Sequence, residues 1–148
     1  MKCKLTGICS RIEEKISPLK DLALLFIRLV LAYGFYKPAM MKWQDINAIA
    51  QWFDGMGMPF PVLNAYMAAI TETLGFILLF FGFAVRIISI PLIVVMIVAI
   101  VTVHGVTHFD AGENGFEIPL YYMIMLFALF VYGPGKYSLQ YLISKREK

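Results

Sequence analysis

The chain has 148 residues, of which 60% are hydrophobic and 15% aromatic, with a mean hydropathy of +0.74. A soluble core of this size cannot hide that much apolar surface, so the composition excludes an ordinary soluble domain and points to one integral membrane domain. Thirteen Lys and Arg against ten Asp and Glu leave a formal charge of +3, with no footprint for nucleic acid.

Residues 1–16 mix Lys2, Lys4, Arg11 and Lys15 with Glu13 and Glu14, and read as a cytoplasmic amino-terminal tail holding at most a short interfacial helix. Cys3 and Cys9 fall in this tail, at a spacing that fits neither a CxxC redox pair nor a usual zinc arrangement, and read as reduced thiols. The membrane domain is expected over residues 17–142. Ser17 before Pro18 has the form of an N-cap with proline at the first helical position, which starts a transmembrane helix reaching about Met41, roughly 36 Å. Its apolar run from Leu22 contains Arg28 and no small-residue cleavage site follows, so it is expected to stay as a helix rather than leave as a signal peptide. Pro38 removes the amide that would bond the Gly34 carbonyl and is expected to kink the outer third. Lys37 and Lys42 lie near the far end, where long side chains can snorkel to the interface.

Trp43 to Pro61 forms a polar connection with interface-type tryptophans at Trp43 and Trp52. Ile46, Ile49, Ala50 and Phe53 keep helical spacing, which predicts a short amphipathic surface helix closed by Gly55, Gly57, Pro59 and Pro61. Helix two follows over Val62 to Gly82 and carries one ionisable residue, Glu72. A charge at the bilayer centre costs roughly 2.5 to 3.5 kcal/mol on insertion scales, so Glu72 must face the bundle interior. Ala65, Ala68, Ala69, Gly75, Phe76 and Gly82 share its face, a set of mostly small residues that lets other helices approach. After a tight turn, helix three spans Ile87 to about His104, with Pro91 in its first turn. Gly105 to Gly115 is polar and acidic, and helix four runs from Glu117 and Pro119 to Gly133, with Tyr121, Tyr122 and Tyr132 placed as interface aromatics. Residues 143–148 are a basic cytoplasmic tail. The Lys/Arg bias puts both termini and Arg86 in the cytoplasm, as an even number of spans requires.

Measured from the outer helix ends, Glu72 lies about 15 Å deep and Arg28 about 20 Å deep, which predicts a buried Arg28–Glu72 pair. The pair either pins helix one to helix two or forms a polar site for a ligand head group or proton relay. At the outer mouth the expected levels bring Lys42, His104 and Glu117 together, extending a buried polar path of Arg28, Lys42, Glu72, His104 and Glu117. His104 and His108, four residues apart with Asp110 and Glu113 nearby, are weak candidates for a transition-metal site, against a hydrogen-bonded structural or a proton-handling histidine. The sequence has no GxSxG, no HExxH and no phosphate loop.

Several stretches carry a resemblance: Arg28 in helix one, Phe35 to Lys42, Gly57-Met58-Pro59, Glu72 to Gly75, Gly82 to Arg86, His104, Gly115 to Glu117, and above all Gly133-Pro-Gly-Lys-Tyr-Ser-Leu139. Over residues 22–142 the chain resembles the DoxX family of small bacterial membrane proteins. It departs at Ala39, where the family usually has glycine, and at Gln140, where an aspartate is common. The resemblance implies an all-α, integral membrane four-helix bundle in the bacterial cytoplasmic (inner) membrane, associated with quinone-linked redox systems. Its leading implication is a small subunit or accessory of a quinone-coupled oxidoreductase, with quinone as the cofactor and protein partners in a membrane complex or homo-oligomer. A non-catalytic docking or stabilising partner of other proteins is the alternative, and transport of a small solute or metal a third.

Overall fold

The computed structural model describes the backbone of residues 2–104, 108–113 and 115–146 and the side chains of residues 19–103, 108–113 and 115–146. In chain order the elements are α1 (Lys2–Gln44), α2 (Ile46–Gly55), α3 (Pro61–Phe81) and α4 (Val85–Ala99), which continues as a π-helical turn (Ile100–His104). A short 3-10 turn (Ala111–Glu113), α5 (Glu117–Tyr132) and α6 (Leu139–Arg146) complete the chain. All regular structure among the described residues is helical.

The limits of each helix follow from local chemistry. Proline at the first position of α3 sacrifices an amide that has no intrahelical partner anyway. The other end closes on Gly82 at φ 68, with the Gly82 and Phe83 amides donating back to Leu79 and Leu78, an arrangement that needs the left-handed conformation glycine adopts at no steric cost. Only Gly82, Phe83 and Ala84 separate α3 from α4, so the two are neighbours of opposite direction. At the start of α2, the Asp45 carboxylate accepts from the Ala48 amide at 2.9 Å and caps the helix.

Four helices form a ring in which α1 packs on α3, α3 on α4, α4 on α5 and α5 on α1. Leu31, Phe35, Leu79, Leu92, Leu126 and Leu129 fill the half of this ring nearest the α3–α4 turn. A second, smaller cluster of Ala50, Phe53 and Ala65, flanked by Ile46, Ile49, Met56 and Met58, fastens α2 to the first turns of α3. Outside, Phe26, Leu63, Ile87, Val101, Ile124 and Phe127 are all exposed, an apolar girdle that suits hydrocarbon rather than water. Pro61–Phe81 and Val85–Val103, with hydropathies of 1.6 and 2.7, are long and apolar enough to cross a membrane, and Glu117–Tyr132 is a shorter apolar helix.

Six α-helices are present among the described residues where four spans and one surface helix are expected. The unexpected one, α6, has eight residues, all exposed, and is too short to stand out in a hydropathy profile. The helix expected to start at Ser17 extends back to Lys2. Pro18 removes one amide from the ladder, but good helix formers on both sides keep the remaining bonds, so proline does not end the helix. The helix also continues unbroken through Pro38.

Candidate functional site

Arg28 is 1% exposed and lies at the tightly packed end of the ring. Its Nη1 donates to the Leu79 carbonyl at 3.2 Å and its Nη2 donates to the Tyr137 carbonyl, while Nε is buried without a partner among the described residues. The charge therefore sits at the C-terminal end of α3, where free carbonyls and the helix dipole favour a cation. A Cβ on Gly82 would collide with Nη1 and lie 2.7 Å from Ser138 Cβ. The loop from Gly133 to Ser138 closes this end, held also by Asp21, which accepts from the Lys136 amide at 3.0 Å and pairs with its ammonium at 3.5 Å. The Gly-Pro-Gly-Lys-Tyr-Ser stretch is thus a plug whose backbone solvates Arg28.

Arg28 and Glu72 do not pair. Arg28 meets α3 at Leu79, seven residues or about 10 Å along the helix from Glu72. The expected register took the outer ends of α1 and α3 as level, whereas α2 lies against the first turns of α3 and α1 ends opposite its middle. The partner of Glu72 is Lys42, whose Nζ lies 2.8 Å from Oε2 and 3.0 Å from Oε1, with side chains 14% and 5% exposed. Lys42 therefore does not snorkel. The next residue repeats the contact, Trp43 Nε1 donating to Thr73 Oγ1 at 2.8 Å, so two consecutive polar bridges pin the α1–α3 seam.

The ion pair forms one wall of a cavity of about 850 Å³ in the half of the ring that the core leaves unfilled. Phe35, Phe53, Met58, Val95, Met96 and Pro119 supply apolar walls, and Tyr122 of α5 also lines it. Tyr122, expected as an interface aromatic, instead packs edge-on against Phe35 with ring centroids 5.6 Å apart, and a Cβ on Gly34 would collide with its hydroxyl. A single glycine within the long apolar run of α1 was the one sequence signal for this approach.

Of the three residues expected at the outer mouth, Lys42 and Glu117 have partners elsewhere. Lys42 is occupied by Glu72, while Glu117 accepts from the Tyr121 hydroxyl at 2.9 Å and the Ala111 amide at 3.1 Å, tying α5 to the turn before it. The His104 side chain, with residues 105–107, lies outside the described residues. His108 is exposed, 3.4 Å from the equally exposed Glu113. Among the described residues no group of three or more His, Cys, Asp or Glu is placed to hold a metal ion.

The family pattern of DoxX matches residues 23–105, a span that contains Arg28, Lys42, Glu72 and most of the cavity wall. A Haemophilus influenzae protein described as "Uncharacterized protein" is 31% identical over 147 residues, 97% of this chain and 91% of its own length. The Bacillus subtilis protein named "Putative oxidoreductase CatD" is 31% identical over 83 residues, 56% of this chain and 60% of that protein. No solved structure matches the chain. With its family pattern laid over more than half of its length and a relative matched nearly end to end, the chain belongs to the DoxX family of membrane proteins.

Proposed function

We propose that the protein is a small subunit or accessory of a quinone-linked membrane oxidoreductase, and that its cavity takes the quinone ring. The observation that carries this reading is the Lys42–Glu72 pair set into the wall of a largely apolar cavity. A cavity of about 850 Å³ falls within the range of roughly 300 to 1,000 Å³ usual for small-molecule sites. Its donor set suits a ring with two carbonyl oxygens: the Lys42 ammonium offers three N–H donors and the Tyr122 hydroxyl one more. A bound quinone supplies the capacity to take up two electrons and two protons. The chain's own residues would bind and orient it and handle protons, with Lys42 donating a hydrogen bond to an oxygen of the ring and Glu72 giving or receiving a proton beside it. Phe35 and the other apolar walls flank that pair and would pack against the ring. Electrons would come from a partner subunit, and the relative named as an oxidoreductase supports placing the protein in such a system.

In this reading α1, α3, α4 and α5 cross a bacterial inner membrane with both termini in the cytoplasm. Lys20, Arg86, Lys136, Lys145 and Arg146 fall at the plugged end of the ring, and Asp45, Asp54, Asp110 and Glu113 at the other, which agrees with the positive-inside bias. Organic extracts of the purified protein, quantified by mass spectrometry, test the proposal. Bound quinone in the wild type and its loss in folded Glu72→Gln are expected. Equal, trace quinone in both would favour a non-catalytic docking partner.

A further inference from the structure

The cavity is not closed on all sides. Met67 of α3 and Ile90, Val94 and Val98 of α4 belong to its lining and are also 56%, 53%, 53% and 38% exposed, so the wall between α3 and α4 reaches the apolar outer surface. The two helices touch near their shared turn, where a Cβ on Gly75 would lie 2.7 Å from Leu92 Cδ2. Two turns further out, Ala68 stands where α3 and α4 both border the cavity. The result is a slot edged by Met67, Ala68 and Thr71 on one helix and Val94 and Val98 on the other, with no charged side chain along it. At its inner end lie Lys42 and Glu72.

We infer that this slot is a lateral doorway through which the isoprenoid tail of a quinone passes between the cavity and the hydrocarbon of the bilayer. The inference rests on the quinone reading and adds to it the route of entry and the long-tailed class of ligand. The polarity gradient selects the occupant. A polar ring is held at the ion pair, an uncharged slot accepts an apolar chain, and the girdle outside faces the hydrocarbon in which that chain dissolves. A water-soluble solute would gain nothing from an opening toward lipid.

The doorway can be closed after folding. Ala68→Cys, in a background of Cys3→Ser and Cys9→Ser, is reconstituted in phosphatidylcholine vesicles and modified with N-benzylmaleimide. Binding is read from quenching of tryptophan fluorescence, since Trp52 stands on the cavity wall. Long-tailed ubiquinone is supplied in the bilayer and a tail-free dimethoxy-methyl-benzoquinone from the water. Modification is expected to weaken binding of the long-tailed quinone by at least about tenfold, some 1.4 kcal/mol, and to leave the tail-free ring unchanged, which also shows that the modified site is intact. Unchanged binding of both probes would overturn the doorway, and so would equal loss of both, which would place the modified side chain of Ala68→Cys at the ring site. Binding of neither probe by the unmodified protein would instead overturn the quinone reading.

Discussion

Lys42 and Glu72 meet at 2.8 Å across the α1–α3 seam, each with little access to solvent. Either charge alone would be stranded in an apolar wall, and breaking such a pair costs about 3 to 5 kcal/mol. Lys42→Met and Glu72→Gln should therefore each lower the unfolding free energy by an amount of that order, while the double variant should lose less than the sum. Denaturant unfolding of the detergent-solubilised protein measures all three. Strictly additive losses would mean that the ammonium and carboxylate do not interact.

Arg28 answers to a different set of groups. Because it bonds the Leu79 and Tyr137 carbonyls, two turns from Glu72, Arg28→Ala and Glu72→Gln should combine additively to within about 0.5 kcal/mol. Arg28→Ala should also loosen the plug, and limited trypsin digestion should cut faster after Lys136. A coupling well above that margin, with unchanged cleavage, would return Arg28 to the ion-pair site.

Gly34 leaves room for the Tyr122 phenol and nothing more. Gly34→Ala should destabilise the protein by about 1 to 3 kcal/mol through overpacking. Because the hydroxyl is the nearest atom, adding Tyr122→Phe should recover part of the loss. Thermal melts of the single and double variants test this, and an innocuous Gly34→Ala would show that the two helices are further apart than described.

The helix limits were legible because proline and glycine punctuation acts locally: Pro61 and Gly82 bound α3, and Glu117 and Gly133 bound α5. The small face of α3 was legible too, since Ala65, Ala69 and Gly75 are buried with Glu72. Register was not. A leucine facing lipid and one facing a helix look alike in sequence, so depth could be counted only from helix ends. Those ends are not level here, because α2 occupies the space beyond α1. Lys42 stands in the expected buried polar path, but its direct pairing with Glu72 was hidden for a related reason, as a lysine near a helix end usually snorkels unless a buried carboxylate lies within reach. Tyr122 shares its residue type and its place near a helix start with interface tyrosines, and only packing turns it inward.

Topology gives an independent check. The single-cysteine variants Glu113→Cys and Lys145→Cys, in a background without Cys3 and Cys9, should differ in labelling of intact cells by a membrane-impermeant maleimide. The Glu113 site should react before the membrane is opened and the Lys145 site only afterwards. The reverse order would invert the protein and put the cavity in the cytoplasmic half.

Photoaffinity labelling locates the ligand and so tests the central claim most directly. Membranes holding the protein are illuminated with an azido-ubiquinone and the modified peptides identified by mass spectrometry. Adducts should fall on cavity residues such as Met58, Met96 and Tyr122, should be displaced by excess ubiquinone, and should drop in Glu72→Gln. Adducts confined to the outer girdle and indifferent to ubiquinone would contradict a quinone site at the Lys42–Glu72 pair.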